Sequence, residues 1–293
     1  MPILDQSTGA DFENAKHGAT ARYIFCNREI LLVDGKLPDK NFYDAFVAAQ
    51  KEAANFDCQI IERPQNYLAA KLARRPDSLS QPSNPSQGQN AAAPSGLANT
   101  FGGSGARFVT LREFCYKNPE QAKAALRAKG ILFWRDTYRH CPKCGAAFEN
   151  DKAETALVCP ACSFKLYPRI EPCVIVLISR GDEVLLVKNK RTTRDFFSCV
   201  AGFMELGESA VEAVRREVKE EVGLEITNIK AVGSQSWPFP DQLMLAFTAD
   251  WQSGDLVLQE EEIAEARWFK HDALPPLEMI RGSVAWNLIN GKF

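Results

Sequence analysis

The spacing of apolar residues changes period along the second half of the chain. CVIVLIS (173–179) and EVLLVK (183–188) are β-branched runs separated by Arg180-Gly181-Asp182, and they predict a hairpin. Residues 196–202 add a strand. Beyond them the period becomes helical: Val211, Val214, Val218 and Val222 recur at spacings of three and four, and Gly223 stands where a helix would end. Ala210 and Ala213 lie beside that stripe, toward a second face, and leave room there. Strands follow near 226–235, 242–250 and 265–270, and a last helix over 281–290. In the first half, residues 22–34 read as a hairpin turning near Asn27-Arg28, and residues 40–54 as a helix. Asn118-Pro119-Glu120 opens another helix, with Pro in the first turn, which Gly130 closes. Strands mixed with helices predict an α/β fold, a sandwich built on a mixed sheet.

Composition changes this picture at one place. Residues 78–106, SLSQPSNPSQGQNAAAPSGLANTFGGSGA, are rich in Ser, Pro, Gly, Gln and Asn and nearly free of charge. Such a stretch buries too little apolar surface to offset its chain entropy, so a flexible insertion is expected. It divides a small α+β N-terminal domain (1–77 and 107–138) from itself; a cysteine-rich segment (139–167) and a larger α/β domain (168–293) follow. Basic and acidic residues nearly cancel, at 35 and 37, which gives no global electrostatic reason to expect a general nucleic-acid binder. No apolar run approaches the ~18 residues a membrane span needs. The first residues, MPILDQSTGADFENAKHG, lack the basic start and apolar stretch of a signal peptide. Five scattered cysteines, Cys26, Cys58, Cys115, Cys173 and Cys199, fit a reducing cytoplasm rather than a disulfide framework.

The remaining four cysteines form two CxxC pairs, Cys141-Pro142-Lys143-Cys144 and Cys159-Pro160-Ala161-Cys162. Two such knuckles bring four thiolates to a tetrahedral Zn2+, and a shell closed by four cysteines makes that zinc structural. An iron–sulfur cluster is the other metal reading. A nucleic-acid-binding ribbon is the sharper functional one, but Glu149, Asp151 and Glu154 balance Lys143, Lys152 and Lys165.

The helical stretch GFMELGESAVEAVRREVKEEVGL (202–224) carries six glutamates, with Glu217, Glu220 and Glu221 in its last turns. A helix C-terminus favours cations, and like charges three or four residues apart repel. These three side chains span about 100° of the helical wheel. A hard divalent cation with a preference for oxygen ligands turns that repulsion into attraction. The plainer alternative is a solvated charged face.

Gly202, Glu208, Arg216-Glu217-Val218, Glu220-Glu221 and Gly223-Leu224 stand at the spacing of the Nudix box, and the chain is identified on them as resembling the Nudix hydrolase superfamily. SQSWPFPDQ (234–242) resembles the SQPWPFPxS motif of the NADH pyrophosphatase branch, with Ser236 in place of Pro and Gln242 in place of the last Ser. The cysteine pairs, YPRIEP (167–172) and EARWF (265–269) resemble that branch too, so the likeness covers roughly residues 107–293. It implies a Nudix α/β/α sandwich preceded by a zinc ribbon. It implies hydrolysis of NADH or NAD+ to NMN(H) and AMP, removal of NAD caps from RNA, and a homodimer. Glu217, Glu220 and Glu221 would be catalytic and hold Mg2+ or Mn2+, together with the Ala201 carbonyl and Glu262. Glu208 and Arg216 would pair structurally. Tyr167, Phe203, Gln235, Ser236, Trp237, Pro238, Phe239, Pro240, Asp241, Gln242 and Ala285 would contact the nucleotide. In physical terms Trp237 and Phe239 offer stacking area, or they are core at a strand end. Lys188, Lys190, Arg191 and Arg194 attract substrate phosphate, or are ordinary surface charge. A Nudix hydrolase for ADP-ribose or other nucleotides and a silent nucleotide-binding scaffold are the competing readings.

Overall fold

A computed structural model describes residues 21–52, 59–63, 67–72, 105–151, 153–190, 196–277, 279 and 281–293. Most of the expected insertion, with Cys58, Lys152, Arg191 and Arg194, lies outside the described residues. The chain divides into two compact units, one ending at Tyr167 and the other beginning at Pro168.

In the first unit, β1 (Ala21–Cys26) and β2 (Glu29–Val33) form the expected hairpin around Asn27, whose φ is 52°. They belong to a five-stranded sheet ordered β3-β4-β1-β2-β5, with β3 at Gln59–Arg63, β4 at Tyr67–Leu72 and β5 at Ala106–Thr110. Helix α1 spans Lys40–Glu52; its Tyr43, Phe46 and Val47 share a core with Ile24, Cys26, Leu31 and Leu72. Helix α2 (Leu111–Lys117) has no counterpart in the sequence reading, although Thr110 caps it by accepting from the Glu113 N–H at 3.1 Å. Helix α3 (Pro119–Thr137) corrects the expected stop at Gly130. Ile131, Leu132 and Trp134 are buried beyond that glycine, and their burial outweighs the roughly 1 kcal/mol that glycine costs a helix. Asn118 precedes α3 but donates its side-chain amide back to the Phe114 carbonyl instead of capping α3. Three two-residue strands, β6 (Glu149–Asn150), β7 (Leu157–Val158) and β8 (Lys165–Leu166), form the small sheet of the cysteine segment.

The second unit is the α/β/α sandwich. Its strands are β9 (Glu171–Arg180), β10 (Glu183–Asn189), β11 (Val200–Phe203), β12 (Glu225–Trp237), β13 (Gln242–Ser253) and β14 (Ile263–Lys270). The order is β12-β13-β9-β10-β14, and β11 pairs with the part of β9 that β10 leaves open. Only β13 and β9 run parallel, so the sheet is mixed. The central strand β9 is buried on both faces, which is why it reads as a continuous apolar run. Val174, Val176 and Ile178 pack with Val214, Val218 and Val222 of α4 (Ala210–Val222). Cys173, Ile175 and Leu177 pack with Val284, Leu288 and Ile289 of α5 (Val284–Ile289) on the other face. Two positions of α4 differ from expectation: Val211, in the first turn, stays exposed, and Ala213 is buried in the core rather than facing the glutamates. Helix α5 is shorter than the predicted 281–290 because Ser283 caps it, accepting from the Trp286 N–H. Among the described residues no helix is long and apolar enough to cross a membrane.

Candidate active site

The start of α4 is fixed by a capping box. The Ser209 hydroxyl accepts from the Glu212 N–H, and the Glu212 carboxylate accepts from the Ser209 N–H at 2.7 Å. The Ser209-Ala210-Val211-Glu212 spacing is the sequence signature of this box. Arg216, on the second turn, grips Glu208 with one edge of its guanidinium, Nε at 3.1 Å and Nη2 at 2.7 Å, and donates to the Phe203 carbonyl at 2.8 Å. The loop from β11 is thereby strapped to the helix. Arg216 also reaches Glu217 Oε1 at 2.8 Å and Glu220 Oε2 at 3.3 Å, contacts that spacing alone did not reveal.

Gly202 explains why β11 lies so close to this helix. A Cβ there would fall within 1.9–2.1 Å of the Glu217 carboxylate. Only a residue without a side chain lets the backbone of Ala201-Gly202 come up against that carboxyl group. Ala201 pairs with Ile175 of β9 and stands immediately before that contact.

The three glutamates differ in depth. Glu221 is 3% exposed, the Glu217 side chain 13% and the Glu220 side chain 53%. Burial, then the charges of Glu217, Glu262 and Glu220, push the Glu221 carboxyl up to about 8. Glu217 is also raised, chiefly by burial, while Arg216 works against the shift. Glu262 acts on both because residues 254–262 are bonded onto the end of α4: Val257 N–H donates to the Val222 carbonyl and Gln259 N–H to the Glu221 carbonyl, each at 3.0 Å. Gly223 makes this possible, with φ 76° and no Cβ to strike Val257. These hard oxygen donors, gathered against their own repulsion with Glu221 the deepest, fit a divalent cation. They do not form a closed cage. Among the described residues, only Cys141, Cys144, Cys159 and Cys162 bring three or more candidate ligand atoms within 4.8 Å of one another.

In the ribbon three sulfur separations are 3.4, 3.6 and 3.7 Å. A tetrahedral ion with Zn–S near 2.3 Å sets its sulfurs about 3.8 Å apart. The two knuckles repeat one backbone pattern. Cys141 N–H donates to Ala146 O and Gly145 N–H to Cys141 O; Cys159 N–H donates to Phe164 O and Ser163 N–H to Cys159 O. Gly145 and Ser163 both take positive φ, 78° and 59°. None of the described cysteines is in a disulfide.

The residues expected to meet the nucleotide fall into several settings. Phe203 is 52% exposed beside Gly202. The Trp237 and Phe239 rings meet edge to face at 5.2 Å, Trp237 partly packed on the α5-side core. Pro238 is buried, Ser236 and Pro240 are exposed, and Gln242 opens β13. Asp241 is raised by burial and by Glu171. Gln235 departs from expectation: it is buried, its amide donates to Gly282 O at 2.9 Å, and its oxygen accepts from Val284 N–H at 2.8 Å. Both polar ends are engaged in holding the start of α5, so Gln235 is a positioning group. Ala285 is buried on that helix. Tyr167 belongs to the first unit, where its hydroxyl donates to Glu154 at 3.0 Å. Of the basic residues, Lys188 pairs with Glu265 at 3.3 Å and lies over Phe197, and Lys190 donates to the Glu260 carbonyl.

Comparison with known proteins accords with this geometry. Residues 169–285 match the NUDIX domain and residues 136–167 the NADH pyrophosphatase zinc ribbon domain. An NAD-capped RNA hydrolase NudC of Stutzerimonas stutzeri is 43% identical over 186 residues, covering 63% of this chain and 67% of that protein. The chain belongs to the Nudix superfamily. Its Nudix domain follows a zinc ribbon of the NADH pyrophosphatase type, whose four cysteines support a structural zinc. An NAD-capped RNA hydrolase NudC of Pseudomonas aeruginosa is 47% identical over 163 residues, covering 56% of this chain. The chain spans 58% of the length of that relative. A Nudix hydrolase structure from Nitrosomonas europaea is 26% identical, covering 47% of this chain and 80% of that one, with a TM-score of 0.42.

Proposed function

We propose that this Nudix protein hydrolyses the diphosphate bond of NADH or NAD+ to NMN(H) and AMP, and removes NAD caps from RNA 5′ ends by breaking the same bond. The observation that carries this reading is the burial of Glu221 among Glu217, Glu220 and Glu262, with the β11 backbone brought against Glu217 at Gly202. Glu217, Glu220 and Glu221, with Glu262 and the Ala201 carbonyl, would hold Mg2+ or Mn2+. Such a cation, when bound, neutralises phosphoryl oxygens and lowers the pKa of a water. Arg216 keeps the Glu217 carboxylate in place and ties Phe203 to the helix. Phe203, Trp237 and Phe239 present ring faces and edges for the bases, and the buried Gln235 clamp keeps the Trp237 strand end against α5. By the family resemblance Tyr167 would also contact the nucleotide. The working form is a homodimer in the cytoplasm.

A Nudix hydrolase for ADP-ribose is the second reading, kept open by the departures from the motif at Ser236 and Gln242. Chromatography of products from NADH and from ADP-ribose, with Mg2+ or Mn2+, separates the two. NMNH and AMP from NADH at much the higher rate support the dinucleotide assignment, and NAD-capped RNA is then the next substrate. Brisk release from ADP-ribose with little action on NADH moves the substrate to the second reading. No cleavage of either favours the silent scaffold.

A further inference from the structure

The turn that carries Glu262 to the carboxylate cluster is held from two sides. On one side is α4, through the hydrogen bonds of Val257 and Gln259 to its last carbonyls. The turn also closes on itself, because Glu262 N–H and Ile263 N–H both donate to the Gln259 carbonyl, at 3.1 and 2.9 Å. On the other side is Lys190, the first residue beyond β10. Its N–H donates to the Glu262 carbonyl at 2.7 Å and its ammonium to the Glu260 carbonyl. A register shift at Lys188/Asn189 brings the end of β10 to this turn: Lys188 pairs with Glu265, but Asn189 already pairs with Ile263. One side chain and one backbone group of the same residue thus bracket Glu261 and grip the turn twice.

The basic run around Lys190 invites a role in attracting substrate phosphate. The geometry gives its ammonium another partner, a carbonyl two residues before Glu262. We infer that Lys190 is a positioning residue of the divalent-cation site, which sets Glu262 toward Glu217 and Glu221 and does not bind substrate. The inference rests on the reading of Glu262 as a ligand of that cation. Outer groups that orient metal ligands change metal affinity by about 10–100-fold when removed. The backbone grip on the turn survives a change of side chain that keeps the N–H, so the lower end of that range applies.

The test uses the full chain, zinc-replete and free of other divalent ions, titrated with Mn2+ alone while free Mn2+ is followed by electron paramagnetic resonance. Lys190→Met should weaken Mn2+ binding about tenfold, leave the melting temperature of the Mn2+-free protein in place, and leave KM for NADH unchanged at saturating Mn2+. Lys190→Arg, which can still donate to the carbonyl, should restore most of the affinity. Unchanged Mn2+ affinity in Lys190→Met with a raised KM for NADH would make Lys190 a substrate contact and overturn the inference. Glu262→Gln is the control for the underlying reading. If that variant binds Mn2+ normally, Glu262 is not a ligand and the inference falls with it. If it binds weakly while Lys190→Met binds normally, only the role of Lys190 is refuted.

Discussion

In the ribbon, four thiols converge within 4.8 Å on two knuckles of identical backbone design. At the end of α4, carboxylates from one helix and one turn stand at graded depths, from the buried Glu221 to the half-exposed Glu220, and Arg216 occupies two of them. The ribbon gathers soft ligands that complete a coordination shell, which suits a metal that never leaves. The Nudix helix gathers hard ligands and leaves the shell unfinished, with one carboxyl so deeply placed that it holds its proton near neutrality. The difference is one of preorganisation. A structural site is finished by the protein, whereas a working site keeps its charges in conflict until cation and substrate arrive.

The largest effect should come from removing that conflict. Glu221→Gln should lower turnover of NADH by about 10²–10³-fold or more, the scale of losing one group from a preorganised electrostatic site. Circular dichroism of the variant should be unchanged. Full activity in this variant would refute the comparison. Gly202→Ala comes next, because the added methyl would collide with the Glu217 carboxylate. It should cost about 1–3 kcal/mol of stability, as overpacking does, with a large fall in activity at the same Mg2+ concentration; a neutral outcome in thermal melts and assays would show that β11 does not need this approach. Cys159→Ser should act on the other region. Zinc content by atomic absorption should fall from one per chain toward zero, with local unfolding of the ribbon rather than loss of the Mn2+ site.

The smallest effect is a pH dependence. In zinc-replete protein free of Mg2+ and Mn2+, the folded Glu221 carboxyl sits at about 8 against an ordinary 4.5. The unfolded chain therefore releases this proton first. Its contribution to stability is fully present below about pH 4.5 and is lost as pH rises toward 8. Wild type should lose more melting temperature between pH 5 and pH 8 than Glu221→Gln does. Parallel curves for the two proteins would mean that Glu221 is not strained in the empty site.

Local signals carried much of this into the sequence. The β9–β10 hairpin, the valine stripe of α4, the two knuckles and the glutamate cluster each lie within a short stretch and each follow a period or a fixed spacing. The features that escaped depend on partners distant in sequence. Gln235 was grouped with the substrate-facing loop, yet its partners lie 47 and 49 residues away at the start of α5. Lys190 finds its carbonyl 70 residues on. Gly130 reads as a stop, but burial of the next helical turn overrides it. Val211 fits the stripe by period and stays exposed, while the smaller Ala213 is buried. In each case packing decided what local preference left open.

The most direct test of the division of labour between the two regions is a Mg2+ titration of protein that holds its zinc and no other divalent ion, with NADH cleavage followed by chromatography. This division of labour requires that no NMNH or AMP form with zinc alone, and that both appear as Mg2+ is added. Cleavage that proceeds with zinc alone and does not respond to Mg2+ would contradict it.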